Sequence, residues 1–141
     1  SLSTLGILDG IIDIYMPDVK YAHAQSAFRF SRAKDYPTIV KSALKEMHRQ
    51  VGDLVIDESG IAWRGLLVRH LVLPEGLAGT EELMQFIADE ISEDTYINIM
   101  DQYSPKYRAR EYPPLDRRIT PHEYKEAVLI AKNTGLHRFA R

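Results

Sequence analysis

The chain has 141 residues, of which 45% are hydrophobic and 27% charged, and its 18 basic and 20 acidic side chains give a formal net charge of -2. This length suits one domain rather than two, and the balanced charge argues against a nucleic-acid partner or an anionic membrane surface. The absence of cysteine excludes disulfides, a cysteine nucleophile and any cysteine-held zinc or iron-sulfur site supplied by this chain itself. No apolar run approaches the roughly 18 residues of a membrane span and no signal-peptide pattern leads the chain, so we predict a cytoplasmic protein.

The amino-terminal segment begins in the middle of a structural pattern. Apolar residues lead into Asp9 and Gly10, which is typical of a helix end and its exit turn. No methionine stands at position 1, where the chain has Ser1. We therefore expect a fragment of a longer protein.

The most informative stretch is residues 11–20, a β-branched apolar run that ends in Asp18 and Lys20. Because alternate side chains of a strand share a face, Met16, Asp18 and Lys20 are predicted to point the same way at its carboxyl end. Ligands bind at that end in parallel α/β sheets, so the charged pair is a candidate ligand site. The alternative is a surface ion pair of about 0 to 1 kcal/mol without function.

The middle of the chain predicts a helix, a hairpin and a buried strand. An apolar stripe with helical spacing follows residues 35–38 and ends at Gly52, and residues 54–56 and 61–63 flank a turn of the hairpin type. In residues 66–73 the odd-numbered and the even-numbered positions are both mainly apolar, as expected of a central parallel strand covered on both faces. We expect Trp63, Phe28 and Phe30 to fill the core of the hairpin and the preceding loop.

The carboxyl-terminal part continues the alternation of helices and strands. Thr80 is predicted to cap a helix that runs to about Ile91, and residues 95–101 form the next strand. Residues 104–118 carry several cations beside tyrosines and could touch RNA or a protein, but interspersed acids favour a solvated loop. Thr120 and Glu123 form a capping box that opens the last helix.

Together these elements predict an α/β fold with three helix-linked parallel strands, flanking helices and an inserted β-hairpin. Three strands cannot close a barrel, and the open sheet edge would leave backbone groups unpaired. We therefore expect either a missing half of the protein or a homodimer through that edge.

Four stretches resemble the carboxyl-terminal half of the radical S-adenosylmethionine (SAM) proteins, in the iron-sulfur branch similar to pyruvate formate-lyase activating enzyme. They are residues 8–21, 43–52, 65–74 and 99–103. Their order and spacing carry the match, and the resemblance extends over nearly the whole chain. The resemblance implies half of a partial (β/α)6 TIM-like barrel, with residues 1–141 as one domain holding the last three strands. It also implies a partner, the amino-terminal half with a three-cysteine loop that binds a [4Fe-4S] cluster.

The resemblance assigns roles to individual residues. Met16, Asp18 and Lys20 match a Met-x-Asp-x-Lys strand around the bound SAM, in which Asp18 and the Met16 carbonyl would help to hold a monovalent cation. Lys20 would contact the carboxylate or the ribose of SAM, and Arg69 matches the arginine of the following strand. The family histidine at the end of the last strand has no counterpart here, because Tyr103 stands there with Gln102 beside it.

Physical reasoning supports cofactor binding by Asp18, Lys20, Arg69 and Gln102, since SAM presents an ammonium, a carboxylate, a sulfonium and a ribose. The competing explanation for Arg69 is a structural pair with Asp101 or Asp18. His70 points away from Arg69 and is predicted to pack beneath a helix, and the five histidines lack the spacing of a metal site.

We expect the intact parent to cleave SAM reductively at its cluster and to pass a radical to a substrate such as a glycine of a partner enzyme. This chain alone would be inactive or would bind the ligand weakly. The alternative function is a cluster-free interaction or scaffold domain, and a hydrolase using His70 and Asp101 ranks third because no nucleophile motif is present.

Overall fold

The structure is a computed structural model that describes residues 1–22 and 35–140. The expected core positions of Phe28 and Phe30 lie outside the described residues. None of the helices in the described ranges combines the length and the hydropathy that a membrane-spanning segment needs.

The helices and strands alternate along the chain. In order they are α1 (Leu2–Ile7), β1 (Ile14–Tyr15), β2 (Asp18–Val19), α2 (Tyr36–Val51), β3 (Val55–Ile56), β4 (Ala62–Leu71), α3 (Thr80–Glu90), β5 (Tyr96–Met100) and α4 (Pro121–Asn133). Two short 3₁₀ turns lie at Pro74–Gly76 and Tyr107–Glu111.

Strand β4 is the centre of one open, mostly parallel sheet. Strands β1, β2 and β5 pair with it in parallel, and β3 pairs with it antiparallel. The prediction of helix-linked parallel strands with an inserted hairpin is therefore confirmed as a mixed α/β fold. The chain end adds a further bridge at β5, between Ile97 and Phe139.

The predicted strand at residues 11–20 is shorter than expected and is interrupted. The amides of Ile11 and Ile12 donate to the carbonyl of Leu8, so these two residues belong to the turn after α1. The strand is divided into β1 and β2 at Pro17, which has no N–H to donate, although its carbonyl accepts from Arg69 N at 2.9 Å. The predicted alternation survives the break, since Tyr15 and Val19 are buried while Met16, Asp18 and Lys20 are exposed.

The hairpin and the central strand are one continuous element. Strand β4 starts at Ala62, where it pairs with Ile56 of β3, and then runs on through the parallel part of the sheet. The prediction that Trp63 fills a core is wrong, because its side chain is 57% exposed. The hairpin end of β4 extends beyond the helices that cover the rest of the strand.

The two faces of the sheet differ in burial. Leu66, Val68 and His70 of β4 are fully buried, and the core formed around them includes residues of α2, α3 and α4. The alternate residues Leu67 and Arg69 are only partly buried. The expectation that β4 is covered on both faces is thus met on one face alone, within the described residues.

The helix ends follow their sequence signals with one exception. Thr120 Oγ1 accepts a hydrogen bond from Glu123 N, and the Glu123 carboxylate accepts one from Thr120 N. These reciprocal bonds confirm the predicted capping box. Thr80 does not cap α3: Gly79 holds the N-cap position in a left-handed conformation, and Thr80 is the first helical residue. The Thr80 side chain turns inward instead and is buried.

Candidate ligand-binding site

A cavity of about 750 Å³ opens at the carboxyl ends of the parallel strands. Four of the five predicted binding residues line it, namely Asp18, Lys20, Arg69 and Gln102. They come from the end of β2 and the residue after it, the carboxyl-terminal part of β4 and the segment after β5. The fifth, Met16, is 55% exposed and is not among the cavity residues.

Asp18 and Arg69 form an ion pair across the sheet. They are register partners in the parallel pairing of β2 and β4, and Asp18 Oδ1 lies 3.0 Å from Arg69 Nε. The Nε atom is buried yet makes no aligned hydrogen bond, so the pair is held by charge rather than by a well-directed N–H donor. Of the two structural partners considered for Arg69, the structure selects Asp18 rather than Asp101.

Lys20 and Gln102 reach the cavity with few contacts of their own. Lys20 donates its backbone N–H to the Tyr36 hydroxyl at 3.2 Å, which fixes its main chain, and the exposed side chain carries the ammonium. Gln102 Nε2 lies 3.6 Å from the sulfur of Met100, a weak acceptor. Both polar heads are therefore available to a ligand.

His70 supports the cavity from the opposite face of β4. Its side chain is fully buried, with Nδ1 3.1 Å from the Val19 carbonyl and Nε2 3.0 Å from Thr80 Oγ1. Because a carbonyl only accepts, Nδ1 carries the proton and Nε2 accepts from the Thr80 hydroxyl. Burial lowers the pKa of His70 to about 4, so the imidazole is neutral at pH 7 and ties β2 to the start of α3. The prediction that His70 packs beneath a helix is confirmed.

The other wall of the cavity is the segment after β5. Residues 103–115 supply Tyr103, Lys106, Tyr107 and Leu115 among others, and the Tyr103 hydroxyl donates to the Leu115 carbonyl at 2.8 Å. Leu115 is buried with Leu73 and Ala78 in a second small core. The interpretation of this segment as a solvated loop is therefore incomplete. The apolar Leu115 within a polar run was the signal that could have identified it as a wall.

Glu123 anchors the end of that wall. Its carboxylate accepts from both terminal nitrogens of Arg117, at 2.9 and 2.8 Å, and from the backbone N–H groups of Glu75 and Thr120 at 2.8 and 2.7 Å. These bonds hold the pKa of Glu123 well below its usual range, with Arg117 as the largest cause. Sequence analysis identified Glu123 as a capping residue but missed this second role.

Within the described ranges, no three histidine or carboxylate side chains converge as metal ligands would. His48 pairs with Asp53 at 3.0 Å and His137 with Asp94 at 3.1 Å. The described lining of the cavity includes charged, amide, phenol and apolar side chains.

Comparison with known proteins finds one long match. The chain is 31% identical over 131 residues to an uncharacterized protein of Methanocaldococcus jannaschii. The match covers 92% of this chain and 34% of that protein, so the chain spans about a third of the length of the relative. No protein-family profile matches the chain, and no solved structure does.

Proposed function

We propose that this chain is the carboxyl-terminal portion of a radical SAM protein similar to pyruvate formate-lyase activating enzyme, and that its cavity binds SAM. The observation that carries the proposal is the convergence of Asp18, Lys20, Arg69 and Gln102 on one cavity.

The chemistry of the cavity fits the cofactor. SAM carries an ammonium and a carboxylate on its methionine end, and the cavity offers the carboxylate of Asp18 and the cations Lys20 and Arg69. The Gln102 amide can both donate and accept, which suits a ribose or an adenine edge. Partly apolar walls, including Leu71 and Leu73, would shelter these contacts from water.

The finer fold, half of a partial (β/α)6 barrel, belongs to the same proposal. Two features support it: the sheet is open, and the face of β4 that carries Leu67 and Arg69 is only partly buried. Ile14 and Trp63, 38% and 57% exposed, add apolar surface on that side. An amino-terminal half of the same protein would cover this face and complete the cavity.

That partner would also carry the cluster, since the present chain has no cysteine. Bound beside a reduced [4Fe-4S] cluster of that partner, SAM would supply the chemistry of reductive carbon-sulfur bond cleavage and so a radical for the substrate. The residues of this chain hold and orient the cofactor. Asp18 takes the ammonium or a cation, Lys20 and Arg69 take the carboxylate, and Gln102 binds the nucleoside.

Isothermal titration of this chain with SAM tests the proposal. We expect binding that Gln102→Ala weakens by about tenfold, the loss of one or two well-made hydrogen bonds. Gln85→Ala is the matched control, because Gln85 lies on α3 and bonds to Asp89 on the surface. Binding insensitive to Gln102→Ala would contradict the proposed site.

The scaffold alternative gives a different outcome. If SAM fails to bind even when the proposed amino-terminal half with its three-cysteine loop is supplied, the cavity is not a SAM site and the chain is better explained as an interaction domain.

A further inference from the structure

The charges on the cavity wall do not balance. Asp18 is the one carboxylate among the lining residues, and it is already paired with Arg69. Lys20 and Lys106 also line the cavity, and neither side chain makes an ion pair with any residue in the described ranges. The lining therefore has an excess of positive charge that SAM, itself a net cation, does not neutralise.

The same wall is rich in aromatic surface. Tyr103, Tyr107 and Tyr112 come from the segment after β5, and Tyr21 comes from the end of the first strand region. Aromatic rings of this kind bind flat ligands by stacking and contribute large contact areas at little entropic cost.

Tyr107 is the most unusual of these residues. Its backbone lies in the left-handed region at φ 50, which costs a residue with a Cβ about 1 to 2 kcal/mol. Its side chain is 93% exposed, so no packing within the described chain offsets that cost. Strain without a packing reason, next to a cavity, is typical of a ligand contact.

We propose that Lys106 and Tyr107 form the binding site for the substrate, and that the substrate is a small planar anion, a ring system that bears a carboxylate or a phosphate. The ring would stack on Tyr107 and the anionic group would pair with Lys106. This inference rests on the proposed function, since it places the substrate beside SAM in one cavity. Within that function it names a small molecule as the substrate, where the family resemblance implies a protein glycine.

Lys106 and Tyr107 lie on a different element from Asp18 and Arg69, and on the same segment as Gln102. Asp18 and Arg69 lie on the paired strands β2 and β4, whereas Lys106 and Tyr107 lie on the segment that follows β5. The Tyr103 bond to Leu115 and the Arg117 bonds to Glu123 hold that segment in place. We therefore expect a ligand at Lys106 and Tyr107 to bind beside SAM, next to Gln102.

The test uses the chain with saturating SAM, and follows the backbone amide signals of Lys106 and Tyr107 by NMR. The probes are adenosine monophosphate and benzoate, which combine a ring with a phosphate or a carboxylate, and adenosine and inorganic phosphate, which have one feature each. We expect at least one ring anion to bind about tenfold more tightly than adenosine and phosphate. Whichever anion binds better identifies the charged group of the substrate.

Two variants localise the binding. Lys106→Ala should weaken binding of the ring anion by about tenfold. Lys132→Ala, which replaces an exposed lysine at the end of α4, should leave that affinity unchanged. Tyr107→Gly should also weaken binding of the ring anion. We expect this variant to be as stable as the original protein or more stable, because glycine adopts a positive φ without strain. Loss of binding in that variant cannot come from unfolding.

The outcomes distinguish the two proposals. If SAM binds but neither ring anion does, or if the ring anions displace SAM, the substrate site is wrong and the proposed function stands. The substrate site would also be overturned if neither ring anion bound more tightly than adenosine and phosphate, or if Lys106→Ala left ring-anion binding unchanged. If SAM does not bind while a ring anion binds at Lys106, the proposed function fails and the anion site remains.

Discussion

Asp18 and Arg69 are register partners of two parallel strands, and their charged groups meet 3.0 Å apart at the edge of the cavity. Both side chains keep access to solvent, at 48% and 30% exposure. An ion pair with this much exposure contributes little to folding, about 1 kcal/mol or less. Substitution of either partner should therefore change the free energy of unfolding only slightly.

The first prediction concerns Asp18 and Lys20, the two charged residues at the end of the first strand region. Asp18→Asn and Lys20→Ala should each weaken SAM binding by about tenfold while changing the free energy of unfolding by about 1 kcal/mol or less. Calorimetry and urea unfolding measure the two quantities. The matched control is Glu90→Gln, which breaks the exposed pair of Glu90 with Lys45, 2.6 Å apart and distant in sequence from the cavity residues. A loss of stability in Asp18→Asn that accounts for the lost binding would make the pair structural.

The sequence was informative where local rules dominate. The helix that ends at Gly52 and the capping box at Thr120 follow from periodicity, capping and turn chemistry, and both predictions are confirmed. The predicted burial of β4 is confirmed on one face only. The clustering of Asp18 with Arg69 also followed, because parallel pairing aligns the strand ends.

The errors arose where tertiary contacts decide. Threonine often caps helices, yet the Thr80 hydroxyl instead donates a hydrogen bond to Nε2 of His70, which lies on β4. Trp63 reads as a core residue, but the sheet face beside it has no covering layer in the described residues. The wall formed by residues 103–115 depends on Leu115 reaching Leu73 and Ala78, a long-range contact that local patterning does not reveal.

The second prediction is a pH dependence caused by His70. Its pKa is lowered from 6.5 to about 4 in the folded protein, so the unfolded chain binds a proton between these pH values that the folded chain does not. Stability is therefore complete above about pH 6.5 and falls by up to about 3 kcal/mol as the pH drops to about 4.

Urea unfolding at pH 7 and pH 5 measures this effect. In His70→Gln, which cannot titrate, we expect a protein that is less stable at pH 7 by about 1 to 3 kcal/mol and that loses less stability on acidification. An unchanged pH slope in the variant would show that other groups cause the acid sensitivity.

The third prediction concerns Glu123. Glu123→Gln removes the charge that holds Arg117 and the amides of Glu75 and Thr120, so we expect a loss of about 1 to 2 kcal/mol in the free energy of unfolding. Because the folded pKa of Glu123 is lowered, the wild-type contribution is present at neutral pH and is lost as the pH falls below the ordinary glutamate value. Chemical denaturation of this variant beside Glu126→Gln, an exposed glutamate of the same helix, provides the comparison. Equal stability of the two variants would contradict the anchoring role.

The fourth prediction concerns Gly65, the residue of β4 that pairs with Ile14. Its φ is 118, and a Cβ there would overlap the carbonyl of Asp53 and the Cα of Leu54. Gly65→Ala should therefore cost at least about 2 kcal/mol of stability. Gly60→Ala, at φ 82 in open space, isolates the backbone penalty and should cost about 1 kcal/mol. Similar Tm values for the two variants would show that the strands at Gly65 move apart easily.

The most direct test of the central claim is to map SAM onto the chain by NMR. We predict that titration with SAM shifts the amide signals of Asp18, Lys20, Arg69 and Gln102, with smaller changes at Val19 and His70 behind them. Signals of the acidic groove beside Glu81 and Glu126, between α3 and α4, should not move. Shifts confined to that groove, or no shifts at the four strand-end residues at saturating SAM, would contradict the proposal that this cavity is a SAM site.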